Sequence, residues 1–162
     1  MMRNNLNVRQ MQAYAAICLL VFCDHIRVTN SAITELIKHL FSLSTAKSLP
    51  DWEQAGTGIA ITGRGDPVPA EVDEAIPENY KNTFNTLVEC CVEVGIVDMY
   101  GASTEQPRMF LEKCIGIVQS LGLELPPIES LDKLAKGEDA WGEPVTEGEL
   151  SDLIEGIGLK LN

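Results

Sequence analysis

The most constraining feature of the sequence is an apolar run near the N-terminus, from Ala13 to Cys23. Apolar residues recur there at helical spacing, and Leu19 and Leu20 widen the apolar stripe beyond a single face. A helix that is apolar nearly all round must be covered by other elements. We therefore predict a helix from about Val8 to His25 that lies at the centre of the fold.

Arg3 and Arg9 precede this run, as basic residues precede the apolar segment of a signal peptide. The run has only eleven residues, too few for a helix to span a bilayer, and no small-residue cleavage site follows it. Cys23 follows Phe22, whereas a lipoprotein signal has a small residue before its cysteine. We interpret the run as the core helix of a cytoplasmic protein, with an exported or lipid-anchored protein as the alternative.

Further segments with helical spacing and capping signals follow along the chain. Ser103 with Gln106, and Thr146 with Glu149, have the spacing of a capping box. Gly95 suits the left-handed position just after a helix end. These patterns predict helices over about 32–46, 78–94, 103–121 and 147–156, with a short helix near 130–136.

Glycine and proline interrupt this pattern over residues 48–77. Within that segment, Gly58 to Thr62 suggests one short strand, as half of a small hairpin, and an ordered loop at one end of the helices is the alternative. The whole chain, 1–162, is thus predicted to be mainly α: a single-domain helical bundle of about five or six helices, with a Gly/Pro-rich loop or small hairpin at about 48–77.

The five cysteines all lie in apolar stretches, and two of them are adjacent. An odd number with an adjacent pair is not typical of a secreted disulfide framework. Reduced cysteine in a protein interior behaves as a small hydrophobic side chain. We therefore expect buried thiols without a disulfide at Cys18, Cys23, Cys90, Cys91 and Cys114.

Charge is distributed unevenly along the chain, whose net charge is −12. Residues 1–50 contain two acidic and five basic side chains, giving +3, whereas residues 51–162 contain 22 acidic and seven basic side chains, giving −15. Such a chain repels phosphate backbones and anionic membranes, so we predict neither a nucleic-acid nor a membrane partner. A basic protein partner is attracted, although acidity that serves only solubility is the alternative.

No motif completes a catalytic, cofactor or metal site. The glycine-rich segment 56–66 lacks the Gly-Lys-Ser/Thr of a phosphate loop. His25 and His39 are the only histidines, and Glu35 lies one helical turn before His39 without further ligands to complete a metal set. We predict no cofactor, no metal and no catalytic residues, with an enzyme of unrecognised site as a weaker alternative.

The densest acidic segment runs from Glu124 to Glu155, with ten acidic residues and only Lys133 and Lys136 as bases. Trp141 stands in the middle of this run. Aromatic side chains among charges are frequent anchors in protein interfaces, although this tryptophan can equally fold back and hold its loop to the bundle. The predicted partner-binding residues are Glu138, Asp139, Trp141, Glu143, Glu147 and Glu149.

In size and acidity, and in the segments Val94–Tyr100 and Ser103–Gln106, the chain resembles bacterial immunity proteins that neutralise toxins of contact-dependent or polymorphic toxin systems. The resemblance implies a noncatalytic protein that binds a basic toxin domain, and it transfers no individual site residue. A small structural or regulatory adaptor acting through helix-mediated contacts, which include homo-oligomers, is the alternative.

Overall fold

In the computed structural model, which describes residues 5–161, seven α-helices and two 3-10 segments follow one another along the chain. None of these residues lies in a β-strand, so the prediction of a mainly α fold is confirmed. Over the same residues, no helix has the length and apolarity needed to cross a membrane. The elements are α1 (Val8–His25), α2 (Ser31–Ser42), α3 (Leu49–Gly56), α4 (Ala70–Ala75), η1 (Glu78–Tyr80), α5 (Lys81–Ile96), α6 (Glu105–Ser120), η2 (Ile128–Leu134) and α7 (Glu147–Gly156).

Helix α1 forms the centre of the fold, and its bounds agree with the prediction. Every residue from 6 to 20 is buried, and the helix packs against α2, α5, α6 and η2. A capping box begins it: the side chain of Asn7 accepts a hydrogen bond from the backbone N–H of Gln10 at 2.9 Å, and that of Gln10 accepts one from Asn7 at 2.8 Å. Its apolar residues cover all sides, which explains why the other helices surround it.

Three polar side chains on α1 are buried with the apolar ones: Arg9, Gln10 and Gln12. A buried polar group costs free energy unless it finds a hydrogen-bond partner. Each of the three donates to main-chain carbonyls of a different neighbouring segment, so hydrogen bonds as well as apolar contacts fix the position of α1. The acceptors are the carbonyl oxygens of Leu43 (2.5 Å) and Ala46 (2.8 Å) for Arg9, Leu131 (3.0 Å) for Gln10, and Cys91 (2.8 Å) for Gln12.

The expectation that Gly95 follows the end of a helix is wrong. Helix α5 continues to Ile96, and Gly95 is buried within it. A Cβ atom at position 95 would collide with Gln12 Oε1 and would lie 3.0 Å from Trp52 Cη2. The glycine therefore permits a close approach of α5 to α1 and α3, and it does not serve a left-handed turn.

The predicted strand at Gly58 to Thr62 is also wrong. The segment 48–77 contains the short helices α3 and α4, neither of which the sequence pattern revealed, and extended backbone between them. Arg64 ties this backbone to α3 through an ion pair with Glu53 at 2.8 Å, and Gly63, with φ of +65°, packs closely on Val92 of α5. Contacts with helices take the place of strand pairing here.

Of the two predicted capping boxes, one is confirmed and one is wrong. Thr146 and Glu149 cap each other at the start of α7. Helix α6 begins at Glu105, after Thr104, and the hydroxyl of Ser103 accepts a hydrogen bond from the backbone N–H of Glu105 at 3.1 Å. Ser103 therefore accepts a hydrogen bond in a turn that precedes the helix, and it does not form a capping box with Gln106. The short helix predicted near 130–136 is the 3-10 segment η2.

Replacing Gly95 by alanine should destabilise the protein, because the new methyl group has no space beside Gln12 and Trp52. Overpacking of this kind costs about 1–3 kcal/mol of unfolding free energy. Gly116→Ala is the matched control: position 116 is an exposed interior position of α6 where a Cβ meets nothing within 4 Å. This control should be neutral or stabilising by up to about 1 kcal/mol, since alanine favours helix. Urea denaturation of both variants makes the comparison, and equal stability of the two would contradict the packing described.

Candidate functional site

Three of the ten acidic residues singled out by the sequence lie in the loop between η2 and α7, which we call the acidic loop: Glu138, Asp139 and Glu143. Glu147 and Glu149 follow in the first turn of α7. Two backbone hydrogen bonds attach this loop to the rest of the fold. Val8 at the start of α1 donates to the carbonyl of Ala140 at 2.8 Å, and Val145 donates to that of Ser44, just after α2, at 2.8 Å. The loop is therefore an ordered surface that is joined to the N-terminal end of α1.

Two of the predicted site carboxylates form local hydrogen bonds. Asp139 Oδ1 accepts from the backbone N–H groups of Trp141 (3.1 Å) and Gly142 (2.7 Å). Glu149 accepts from the N–H of Thr146 at 2.9 Å, and this hydrogen bond lowers the pKa of the Glu149 carboxyl. The other three predicted carboxylates are exposed and have no hydrogen bond or ion pair with residues 5–161: Glu138, Glu143 and Glu147.

Trp141 points inward and is half-buried. Its ring packs against the small apolar cluster formed by Leu43, Trp52 and Met99 as well as against the main core. The indole N–H is buried and has no hydrogen-bond partner among the described residues. This position favours the interpretation in which Trp141 holds its loop to the bundle over the one in which it is an exposed anchor.

The connection between α5 and α6, which lies beside the acidic loop, carries an exposed aromatic side chain. A depression of about 320 Å³ is lined by Glu138 and Asp139 of the loop together with Ala102 and Thr104 of the connection between α5 and α6. Tyr100, two residues before Ala102, is 78% exposed. We call these five residues the Tyr100 surface.

Tyr100 also lines a second depression, of about 430 Å³, with Glu53, Asp98 and Met99. Carboxylates therefore line both depressions, the one that contains Tyr100 and the one that contains Ala102. The sequence analysis did not select Tyr100 as a site residue. The sequence feature that could have pointed to Tyr100 is its position in a glycine-containing connection, outside the helical spacing of apolar residues in α5.

The histidines and cysteines do not assemble a recognisable reactive centre. All five cysteines are buried, as predicted. The His39 ring stacks on Trp52, with 4.5 Å between ring centroids, and burial, followed by the nearby charge of Arg64, lowers the pKa of His39. Within residues 5–161, no three His, Cys, Asp or Glu side chains are placed to hold a metal ion.

Comparisons with known proteins leave the family open: no family model, no curated protein and no solved structure matches the chain.

Trp141→Ala should lower the stability of the protein, because the ring is part of the apolar contact that holds the loop. A half-buried tryptophan should contribute about 2 kcal/mol, less than the loss on truncating a fully buried one. Tyr100→Ala is the matched aromatic control, and its effect on unfolding free energy should stay within about 0.5 kcal/mol because the ring is exposed. Thermal and urea denaturation measure both. A Trp141→Ala variant as stable as the wild type would show that the ring does not hold the loop.

The lowered pKa of His39 predicts how stability depends on pH. A histidine that binds its proton more weakly in the folded than in the unfolded protein stabilises the fold fully above the unfolded-state pKa of about 6.5, and this contribution is lost as pH falls below it. His39→Gln should therefore reduce the pH dependence of unfolding free energy between about pH 7.5 and 5.5, and His25→Gln, at an exposed position, should preserve it. Urea denaturation across this range provides the measurement, and an unchanged slope in His39→Gln would refute the assignment.

Proposed function

We propose that this chain is a noncatalytic binding protein that neutralises a basic protein partner, a bacterial toxin domain, through the acidic loop and the Tyr100 surface. It acts in the cytoplasm, since five buried cysteines without a disulfide are typical of a reducing compartment. The observation that carries the proposal is the state of the ten carboxylates between Glu124 and Glu155: every one of them is exposed.

Carboxylates concentrated in one segment of the chain repel one another in the free protein. Lys133 and Lys136 are the only basic residues between Glu124 and Glu155, so few positive charges in the segment offset the repulsion between its carboxylates. A cationic partner relieves this repulsion and is drawn towards the surface before contact, which speeds association. Solubility alone requires charge but does not require that it be concentrated in one segment of the chain.

Tyr100 supplies an apolar contact area, which charged side chains alone do not. A tyrosine that becomes buried in an interface contributes a large apolar area and a hydroxyl that can form a hydrogen bond. Glu138 and Asp139 line the depression beside the connection that carries Tyr100 and can receive basic side chains of a partner. Exposed carboxylates, with an exposed aromatic residue on the connection beside them, therefore match a partner that is basic at its contact surface.

The alternative of an adaptor that acts through helix-mediated apolar contacts has less support. Among residues 5–161, only Tyr100 and Met109 are large hydrophobic side chains with high exposure. Interaction sites of that kind require a contiguous apolar patch. A homo-oligomer formed through the acidic loop would also bring like charges together.

The test begins with co-purification from the native host, and the stoichiometric partner obtained is then used for association kinetics. Glu138, Glu143 and Glu147 changed together to lysine should slow association at least about tenfold at low salt and have little effect at high salt, because their exposed carboxylates form no hydrogen bond or ion pair within the described residues. Tyr100→Ala should act mainly on dissociation and speed it by roughly 30-fold, which corresponds to an anchor worth about 2 kcal/mol.

The matched control changes Glu71, Glu74 and Glu89 to lysine, which alters net charge by the same amount at exposed positions outside the acidic loop. This control should slow association far less. If the two triple variants slow association equally, only the overall charge matters and the acidic loop is not the interface. If the partner isolated is not basic, or if neither variant changes its binding, the proposed function is wrong.

A further inference from the structure

Four of the five cysteines converge where α1, α5 and α6 pack together. Cys114 on α6 interacts electrostatically with Cys18 on α1 and with Cys90 and Cys91 on α5. The sulfur atoms of Cys91 and Cys114 are 3.6 Å apart. The proposed binding surface uses none of these thiols.

We propose that Cys91 and Cys114 are an oxidation site that forms an intramolecular disulfide between α5 and α6. The oxidant is an electrophilic diazene: one thiolate adds to its N=N bond, and the second thiolate then attacks the bound sulfur and displaces the reduced nitrogen group. Two thiols lose two electrons and two protons, one S–S bond replaces two S–H bonds, and the diazene leaves as a hydrazine. This inference does not depend on the proposed binding function.

The geometry requires little rearrangement. A disulfide bond is about 2.05 Å long, so the two sulfur atoms need to approach by roughly 1.5 Å. Helices α5 and α6 already pack against each other, and the two cysteines are 23 positions apart in the chain. The bond would therefore cross-link one helical hairpin without changing its architecture, and closing a loop of this length should stabilise the fold.

Burial makes the reaction slow in the native protein. It raises the pKa of Cys91 well above the usual range, so its thiolate is scarce, and it excludes reagents from the sulfur. Cys90, which is 9% exposed, is the least buried of the four cysteines. Cys23 on α1 is also buried, but no electrostatic interaction with another cysteine contributes to its raised pKa of about 12.

The test treats native wild-type protein with diamide, blocks the remaining thiols by alkylation under denaturing conditions and maps the peptides without reduction. The expected product is a monomer with one disulfide, between Cys91 and Cys114, which tandem mass spectrometry distinguishes from a bond to the adjacent Cys90. Cys90→Ser and Cys23→Ser should still form this disulfide, whereas Cys91→Ser and Cys114→Ser should lose it. Circular dichroism confirms that each variant is folded.

A second measurement on the wild-type protein needs no variant. The oxidised protein should melt roughly 5 °C higher than the reduced protein, and dithiothreitol should reverse the shift. The proposal is overturned if diamide produces only intermolecular dimers, if the bond joins Cys90 to Cys114, or if native protein stays fully reduced under conditions that oxidise the denatured chain.

Discussion

The fold depends on hydrogen bonds that side chains of the buried helix α1 donate to carbonyl groups around it. Burial of apolar surface drives α1 into the centre but is non-directional and does not fix how the helix is rotated. Arg9, Gln10 and Gln12 supply that direction, because each reaches main-chain carbonyls of a different segment. Burial lowers the pKa of Arg9. Truncating Arg9 would remove its hydrogen bonds to the carbonyls of Leu43, which also accepts from the N–H of Ala46, and of Ala46.

These bonds also place the candidate binding surface. Arg9 holds the turn that follows α2, and the same turn accepts a hydrogen bond from Val145 of the acidic loop through Ser44. Val8 binds the loop directly through Ala140. The acidic loop is thus built on the first turn of α1, and a surface that is ordered before binding loses less conformational entropy when a partner docks.

The sequence was most informative where the signal is local. The apolar run predicts α1 to the residue, and the spacing of Thr146 and Glu149 predicts the start of α7. Interactions between residues distant in the chain could not be predicted from it. Position 95 needs glycine because Gln12 and Trp52 lie close to it. Within the segment 48–77, the extended backbone is held by contacts with α3 and α5. The candidate site shows the same limit. Its carboxylates were predictable from composition, whereas the inward position of Trp141 and the exposure of Tyr100 result from tertiary packing.

Helix α1 therefore cannot leave its position without loss of the whole fold and of the surface built upon it. Native-state hydrogen–deuterium exchange tests this most directly, since it reports the free energy of opening for each helix. Backbone amides over residues 12–22 of α1 should exchange only by global unfolding, with protection that equals the unfolding free energy from denaturant. Protection in α1 that is clearly lower than in α5 and α6, with exchange through local opening, would contradict the claim.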